Sequence, residues 1–322
     1  MNKFSAAVVG LGQVGQGYDY DSPDDSVILT HATALSFHRG FELIAGVDED
    51  LAQRDLFEKK FSKPVYSGLK ELQENHNPDI IALAIPTESH FSIFNSALLL
   101  HPIAIVCEKP VAQNFEEARQ MIESAEASNC AVSVNYLRRF NPAIGKLKQM
   151  IDASEFGEIY KSTVWYTKGI QENGSHFIDL FNYLLGELHS VRILQSGRKW
   201  DNYDPEPDLL IRFGETDVCM LSGREERYSM GQFELIGTDG VVRYEDGKPI
   251  KIRYAQDDPV YAGYRNLGEK AEIENPSERN IWFTYDNLAE HLDKGVGIKS
   301  TLETATNTLR VIEEIITELN GN

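Results

Sequence analysis

Cysteine is scarce in this chain of 322 residues: Cys107, Cys130 and Cys219 are the three present, and no two share a CxxC spacing. That usage excludes a disulfide framework and a zinc knuckle, and it reads as reduced, buried thiols in a cytoplasmic protein. Basic charge is short as well. Thirty-one Lys and Arg stand against 50 Asp and Glu, a formal net charge of −19. Such a surface repels phosphate backbones and anionic membranes, so neither nucleic acid nor a membrane is an expected partner. One anionic ligand in a local positive niche remains compatible with it. No apolar run reaches the ~20 residues of a membrane span, and the opening MNKFSAAVVG has no long signal-peptide core, which again points to the cytoplasm. Internal repeats and low-complexity linkers are missing too.

What is present is a two-domain grammar, since one domain takes roughly 150 residues. Phe4–Val9, Phe41–Val47, Asp79–Ala84, Ile103–Cys107 and Val132–Asn135 read as strands, with helical periodicity at Gly68–Glu74, His90–Leu99 and Glu116–Ala127. Strands alternating with helices predict a doubly wound parallel sheet over residues 1–135. From Glu158 the runs Ile159–Tyr166, Val191–Lys199, Leu209–Phe213, Asp217–Ser222, Gln232–Gly237, Val241–Tyr244 and Ile250–Tyr254 follow one another without helices. They predict a large open, mostly antiparallel sheet, and with helices near Ser175–Leu185, Trp282–Asp293 and Glu303–Leu319 an α+β domain over 136–322.

Gly10-Leu11-Gly12-Gln13-Val14-Gly15 follows the first strand directly. Gly10 permits the tight turn, Gly12 lets backbone approach a pyrophosphate, and Gly15 allows close helix–strand packing, while the helix start supplies N–H groups. An acid is expected at the end of the next strand, about 20 residues on, for the ribose hydroxyls. Asp48 ends Phe41–Val47 but lies further along, because the acidic stretch Gly17–Ser26 (GYDYDSPDDS) reads as an inserted loop before a helix starting near Thr30. That loop is a mobile lid or an inert insertion. An ionised Asp48 repels a 2′-phosphate, which favours NAD over NADP; the plainer alternative is that Asp48 caps the following turn.

Glu108-Lys109-Pro110 closes the strand Ile103–Cys107, at the sheet edge where ligands of open α/β folds bind. The Lys–Pro bond is a candidate for the cis form. Lys109 there can anchor a substrate hydroxyl and pass a proton, or serve as a surface ion pair. In Glu172-Asn173-Gly174-Ser175-His176-Phe177-Ile178-Asp179, a helix beginning near Asn173 makes His176 and Asp179 neighbours, so the carboxylate can orient the imidazole for acid–base work. The competing readings are a structural histidine and a metal site on Glu172 and His176. No third ligand is evident for the latter, and no metal is expected.

Together these residues resemble the Gfo/Idh/MocA family of glucose–fructose oxidoreductase and inositol 2-dehydrogenase. The matching pieces run in order: GLGQVG, GVD at 46–48, Pro86-Thr87 with His90, EKP at 108–110, Asn135-Tyr136 with Arg138-Arg139, GSHFIDL at 174–180, FELIGTDG at 233–240, and a long final helix. The resemblance implies a Rossmann domain, a C-terminal domain whose open sheet supports a homodimer or homotetramer, and NAD(P) chemistry on sugars or polyols. It adds Pro86, Thr87, His90, Glu108, Lys109 and Pro110 to the cofactor-binding residues Gly10 to Gly15 and Asp48. It maps the family's lysine onto Lys109, its helix histidine onto His176 and its later acid onto Asp179. Glu172 stands where the family commonly has Asp, and the loop Tyr166-Thr167-Lys168-Gly169 departs from the usual glycine-rich entry.

The mechanism that follows has His176 as general base and Lys109 hydrogen-bonded to the reacting hydroxyl. Tyr136, Arg138, Lys168 and Asn173 are substrate candidates, the two cations for a carboxylate or phosphate. Trp165 and Tyr166, adjacent on a strand, should point to opposite faces. The expected protein is an NAD-dependent oxidoreductase acting on a secondary alcohol or ketone of a sugar, polyol or nucleotide sugar. An NAD-retaining epimerase or hydrolase and a non-catalytic NAD-responsive regulator are the alternatives.

Overall fold

A computed structural model describes residues 3–22 and 24–321. They form two compact units, residues 1–140 with 278–310, and residues 141–277 with 311–322. Segment 278–310, which lies beyond 135 in sequence, is thus part of the first unit.

In the first unit, strands β1 (Phe4–Val9), β2 (Phe41–Val47), β3 (Val65–Tyr66), β4 (Ile80–Leu83), β5 (Ala104–Cys107) and β6 (Ala131–Val134) form one sheet in the order β3-β2-β1-β4-β5-β6. Every pairing is parallel. β4 and β5 are buried at all their residues, as strands must be when helices cover both faces. The covering helices include α1 (His31–Phe37), α2 (Leu51–Phe61), α3 (Leu69–Asn75), α4 (Thr87–Leu98) and α5 (Phe115–Ala127). Parallel order places the loops after β1, β2, β4 and β5 along one carboxyl edge.

The second unit contains α6 (Pro142–Asp152), β7 (Ile159–Tyr166), α7 (Ser175–Leu185), β8 (Leu188–Gln195), β9 (Lys199–Trp200), β10 (Asp204–Pro205), β11 (Asp208–Phe213), β12 (Thr216–Ser222), β13 (Gly231–Gly237), β14 (Gly240–Glu245), β15 (Ile250–Asp257) and β16 (Arg265–Ile273). Eight strands make a sheet ordered β16-β15-β14-β13-β7-β12-β11-β8, antiparallel except for β12 against β7. β11 and β14 alternate buried and more exposed residues, and the buried face packs on Ile144 and Leu147 of α6 and on Phe177 and Phe181 of α7. The chain ends in α8 (Asn280–Lys294) and α9 (Leu302–Gly321); α9 gives Leu309 to the first unit's core and Ile312 to the second's.

One strand expectation is corrected. The run Val191–Lys199 is not one strand: β8 stops at Gln195, and residues 199–200 pair instead with β10. Gly197 makes the break at φ +71, where a Cβ would lie 1.8 Å from the Glu206 carbonyl oxygen. β16 was not foreseen, because its charged sequence RNLGEKAEI shows no apolar alternation and its order comes from pairing with β15 at the sheet edge.

Candidate active site

The turn after β1 is shaped by two glycines. Gly10 has φ +89, and a Cβ there would sit 2.3 Å from the Ala84 oxygen; at Gly15 it would sit 2.1 Å from the Gly10 oxygen. Around Gly12 the reverse holds, with nothing within 4 Å of an added Cβ. The backbone is thus crowded inward and bare outward, a cradle that fits a pyrophosphate. Beyond it the chain winds once with wide bonds, Gly17 N–H to Gly12 O at 3.1 Å and Tyr18 N–H to Gln13 O at 2.9 Å.

Asp48, at the end of β2, faces this turn. Its Oδ2 accepts from the Leu11 N–H at 2.7 Å and its Oδ1 from the Asp50 N–H at 2.8 Å, while the N-cap of α2 is Asp50. The acidic loop between is pinned by Asp19, a buried carboxylate that accepts from Leu29 N–H, Thr30 N–H and the Thr30 and Thr33 hydroxyls. Thr30 caps α1, where the sequence put the helix start. Pro23 of that loop lies outside the described residues.

Pro86 and Thr87 open α4 at the same sheet edge. His90 is buried, with Nε2 2.9 Å from the Ile85 oxygen and Nδ1 3.2 Å from the Val111 oxygen, so its ring spans the loops after β4 and β5. Lys109–Pro110 is a cis bond, as expected. Glu108 does not lie loose at the rim: its side chain is 13% exposed, and Oε1 receives Asn135 Nδ2 at 2.6 Å and stands 3.0 Å from His31 Nε2. Tyr136, Arg138 and Arg139 are buried in and before the turn Leu137–Arg139.

In the second unit, His176 and Asp179 are both buried on α7, the imidazole at 8% exposure and the carboxyl at 1%. The helix spans Ser175–Leu185, as its periodicity predicts, and does not reach back to Asn173 because Gly169–Gly174 forms a wide turn before it. Two buried carboxylates hold that turn. Asp204 accepts from Gln171 N–H at 3.0 Å and Glu172 N–H at 3.0 Å, and Glu206 from Lys168 N–H at 3.1 Å. Asn173 Nδ2 reaches the Met230 oxygen at 3.5 Å, and the Lys168 ammonium pairs with Glu225 at 3.3 Å. Tyr166 turns inward to donate to the Pro207 oxygen at 2.7 Å, and Trp165 faces out, the opposition expected of strand neighbours.

Sequence reasoning missed His31, Tyr285, Asp204 and Glu206. The first pair had no local signal, since His31 meets a tyrosine 254 positions away. The second had one: in Asp204-Pro205-Glu206-Pro207-Asp208 acids alternate with prolines, which stiffen the backbone and suggest fixed carboxylates rather than a solvated run.

Residues 4–136 match the family model described as oxidoreductase family, NAD-binding Rossmann fold, and residues 170–320 match its partner, the C-terminal alpha/beta domain. The chain belongs to the Gfo/Idh/MocA family. Among its relatives, levoglucosan dehydrogenase of Pseudarthrobacter phenanthrenivorans is 23% identical, covering 83% of this chain and 80% of that protein. Inositol 2-dehydrogenase of Rhizobium meliloti is 23% identical over 78% of each. The fold matches the crystal structure of the WlbA dehydrogenase from Bordetella pertussis in complex with NADH and UDP-GlcNAcA, with TM-score 0.76 and 17% identity over 99% of this chain and 96% of that one. This Gfo/Idh/MocA member is an NAD(P)-dependent oxidoreductase, and its glycine cradle and Asp48 suit NAD. Among the described residues no helix is long and apolar enough to cross a membrane, and no group of three or more His, Cys, Asp or Glu is placed to hold a metal ion.

Proposed function

We propose that this enzyme transfers hydride between NAD and a secondary alcohol or ketone of a sugar, polyol or nucleotide sugar. One observation carries the reading: the Gly10–Gly15 turn, Asp48 and Lys109 follow β1, β2 and β5 of one parallel sheet, and so share its carboxyl edge. Open α/β sheets bind their ligands at that edge. NAD, when bound, supplies the hydride acceptor. An alcohol that gives up hydride must also give up its hydroxyl proton. His176 is the general base for that proton, and Lys109 donates a hydrogen bond that lowers the hydroxyl's pKa and relays the proton onward. Asp179, one helical turn from His176, orients the imidazole, and Glu172 positions substrate. Asn173, Lys168, Tyr136 and Arg138 complete the substrate contacts. The histidine, its acids and the substrate residues are carried over from the family motif.

The names of the relatives, an anhydrosugar dehydrogenase and an inositol dehydrogenase, together with a structure holding a nucleotide sugar, set the breadth of the substrate panel. The test is an NADH-formation screen over free sugars, sugar acids, inositols and nucleotide sugars, followed by Lys109→Ala and His176→Ala on the best substrate. Each variant is expected to lose roughly 10²–10⁴-fold in turnover with NAD affinity retained. Turnover within about twofold of wild type would remove the role from that residue. Tightly retained NAD with no net NADH across the panel would favour epimerase or hydrolase chemistry instead.

A further inference from the structure

We infer that His31 is a positioning residue for Lys109, acting through Glu108. The inference rests on the reading of Lys109 as a proton-handling group. His31 is fully buried at the start of α1, with Nε2 3.0 Å from Glu108 Oε1 and Nδ1 2.7 Å from the Tyr285 hydroxyl. The same Oε1 receives Asn135 Nδ2 at 2.6 Å, and Asn135 Oδ1 accepts from the Thr284 hydroxyl at 2.8 Å. The other carboxylate oxygen, Oε2, accepts from the backbone N–H of Lys109 at 3.3 Å. One carboxylate therefore ties α1, the end of β6 and α8 to the peptide that carries the lysine.

The charge states give the network a direction. Burial works against an ionised Glu108, but hydrogen bonds from His31 and Asn135 and the nearby positive charge of His31 and Lys109 outweigh it, and the carboxyl is held below its ordinary range. Burial, reinforced by that carboxylate, pushes the Tyr285 hydroxyl well up, so it keeps its proton. An ionised carboxylate can only accept, so His31 Nε2 donates to Glu108 while Nδ1 stays engaged with the Tyr285 hydroxyl. A buried charge held by a histidine, a side-chain amide and one peptide N–H is a costly way to fill a core, and apolar packing of like volume does as well for stability alone. Here the charge sits next to the lysine.

His31→Leu removes the donor while keeping bulk. It is expected to lower kcat by about 10- to 100-fold, the scale of a displaced catalytic group, with NAD dissociation constant unchanged. His31→Gln, whose amide can still donate toward Glu108, should recover much of the loss. In a Lys109→Ala background His31→Leu should cost nothing more, because the path runs through the lysine. A substrate-free readout is amide exchange: His31→Leu should speed it in the peptide spanning residues 104–113 and leave 175–185 unchanged. Should His31→Leu fail to fold, Tyr285→Phe removes one hydroxyl from the same chain of bonds and is expected to lower kcat several-fold. Wild-type kcat in the folded His31→Leu or Tyr285→Phe protein, or an equal further loss in the Lys109→Ala background, overturns the inference. An active Lys109→Ala enzyme overturns instead the reading of Lys109 on which it rests.

Discussion

At the scale of single residues, the decisive contrast is between carboxylates that face a ligand edge and carboxylates spent inside. Asp48 has one oxygen on the Leu11 N–H of the phosphate turn and the other on the Asp50 N–H, at the strand end where folds of this kind carry the acid that binds the ribose. Asp48→Ser should weaken NAD and relieve the repulsion of a 2′-phosphate, moving the NAD-to-NADP preference toward NADP by roughly 10-fold or more. Titration of both cofactors by intrinsic fluorescence decides this, and an unaltered preference would assign Asp48 to turn structure alone. Glu108 is the opposite case, an acid whose position in the chain suggested ligand contact and whose oxygens are occupied by His31, Asn135 and the next peptide. The Glu-Lys-Pro run was legible as a site; the inward turn of its first member was not, because its partners lie 27 and 77 positions away.

At the scale of elements, the turn Gly169–Gly174 shows how two buried acids can shape a segment through its backbone N–H groups. Gly169 has φ +74, and a Cβ there would lie 1.9 Å from Asp204 Oδ2, so the loop and the carboxylate are fitted to each other. Burial pushes the Asp204 carboxyl above its ordinary range, against the backbone N–H bonds from Gln171 and Glu172 that favour its charge. A carboxyl raised in this way binds a proton more readily in the folded state than in the unfolded one. Stability therefore falls as pH climbs from the unfolded carboxyl's value through the folded one. Asp204→Asn cannot ionise and should lack that fall, which denaturant melts taken from about pH 4 upward would register. It should also lower turnover while leaving NAD affinity unchanged, since its contacts all lie within the second unit. A wild-type stability profile in the variant would show that Asp204 is ionised without cost.

At the scale of the whole molecule, the eight-stranded sheet packs one face on α6 and α7, and its other face carries exposed groups such as Trp165. A homodimer or homotetramer built on such a face is the proposed assembly, because an aromatic-bearing sheet surface gains from burial. Light scattering on the purified protein should give a mass two or four times that of the 36.3 kDa chain. A monomer across the working concentration range would end that proposal.

Fold class, family and the phosphate turn were legible in the residues alone. Hydrophobic periodicity and turn glycines are local, so β1, β2, α5 and α7 and the phosphate turn could be read within a few residues of their ends. Tertiary structure alone decided which residues brace those motifs. His31 with Tyr285, Asp204 with the 169–174 turn, and β16 at the sheet edge are all defined by partners distant in the chain. Hydrogen bonds between such partners depend on where the backbone returns in space, and no local pattern encodes that return.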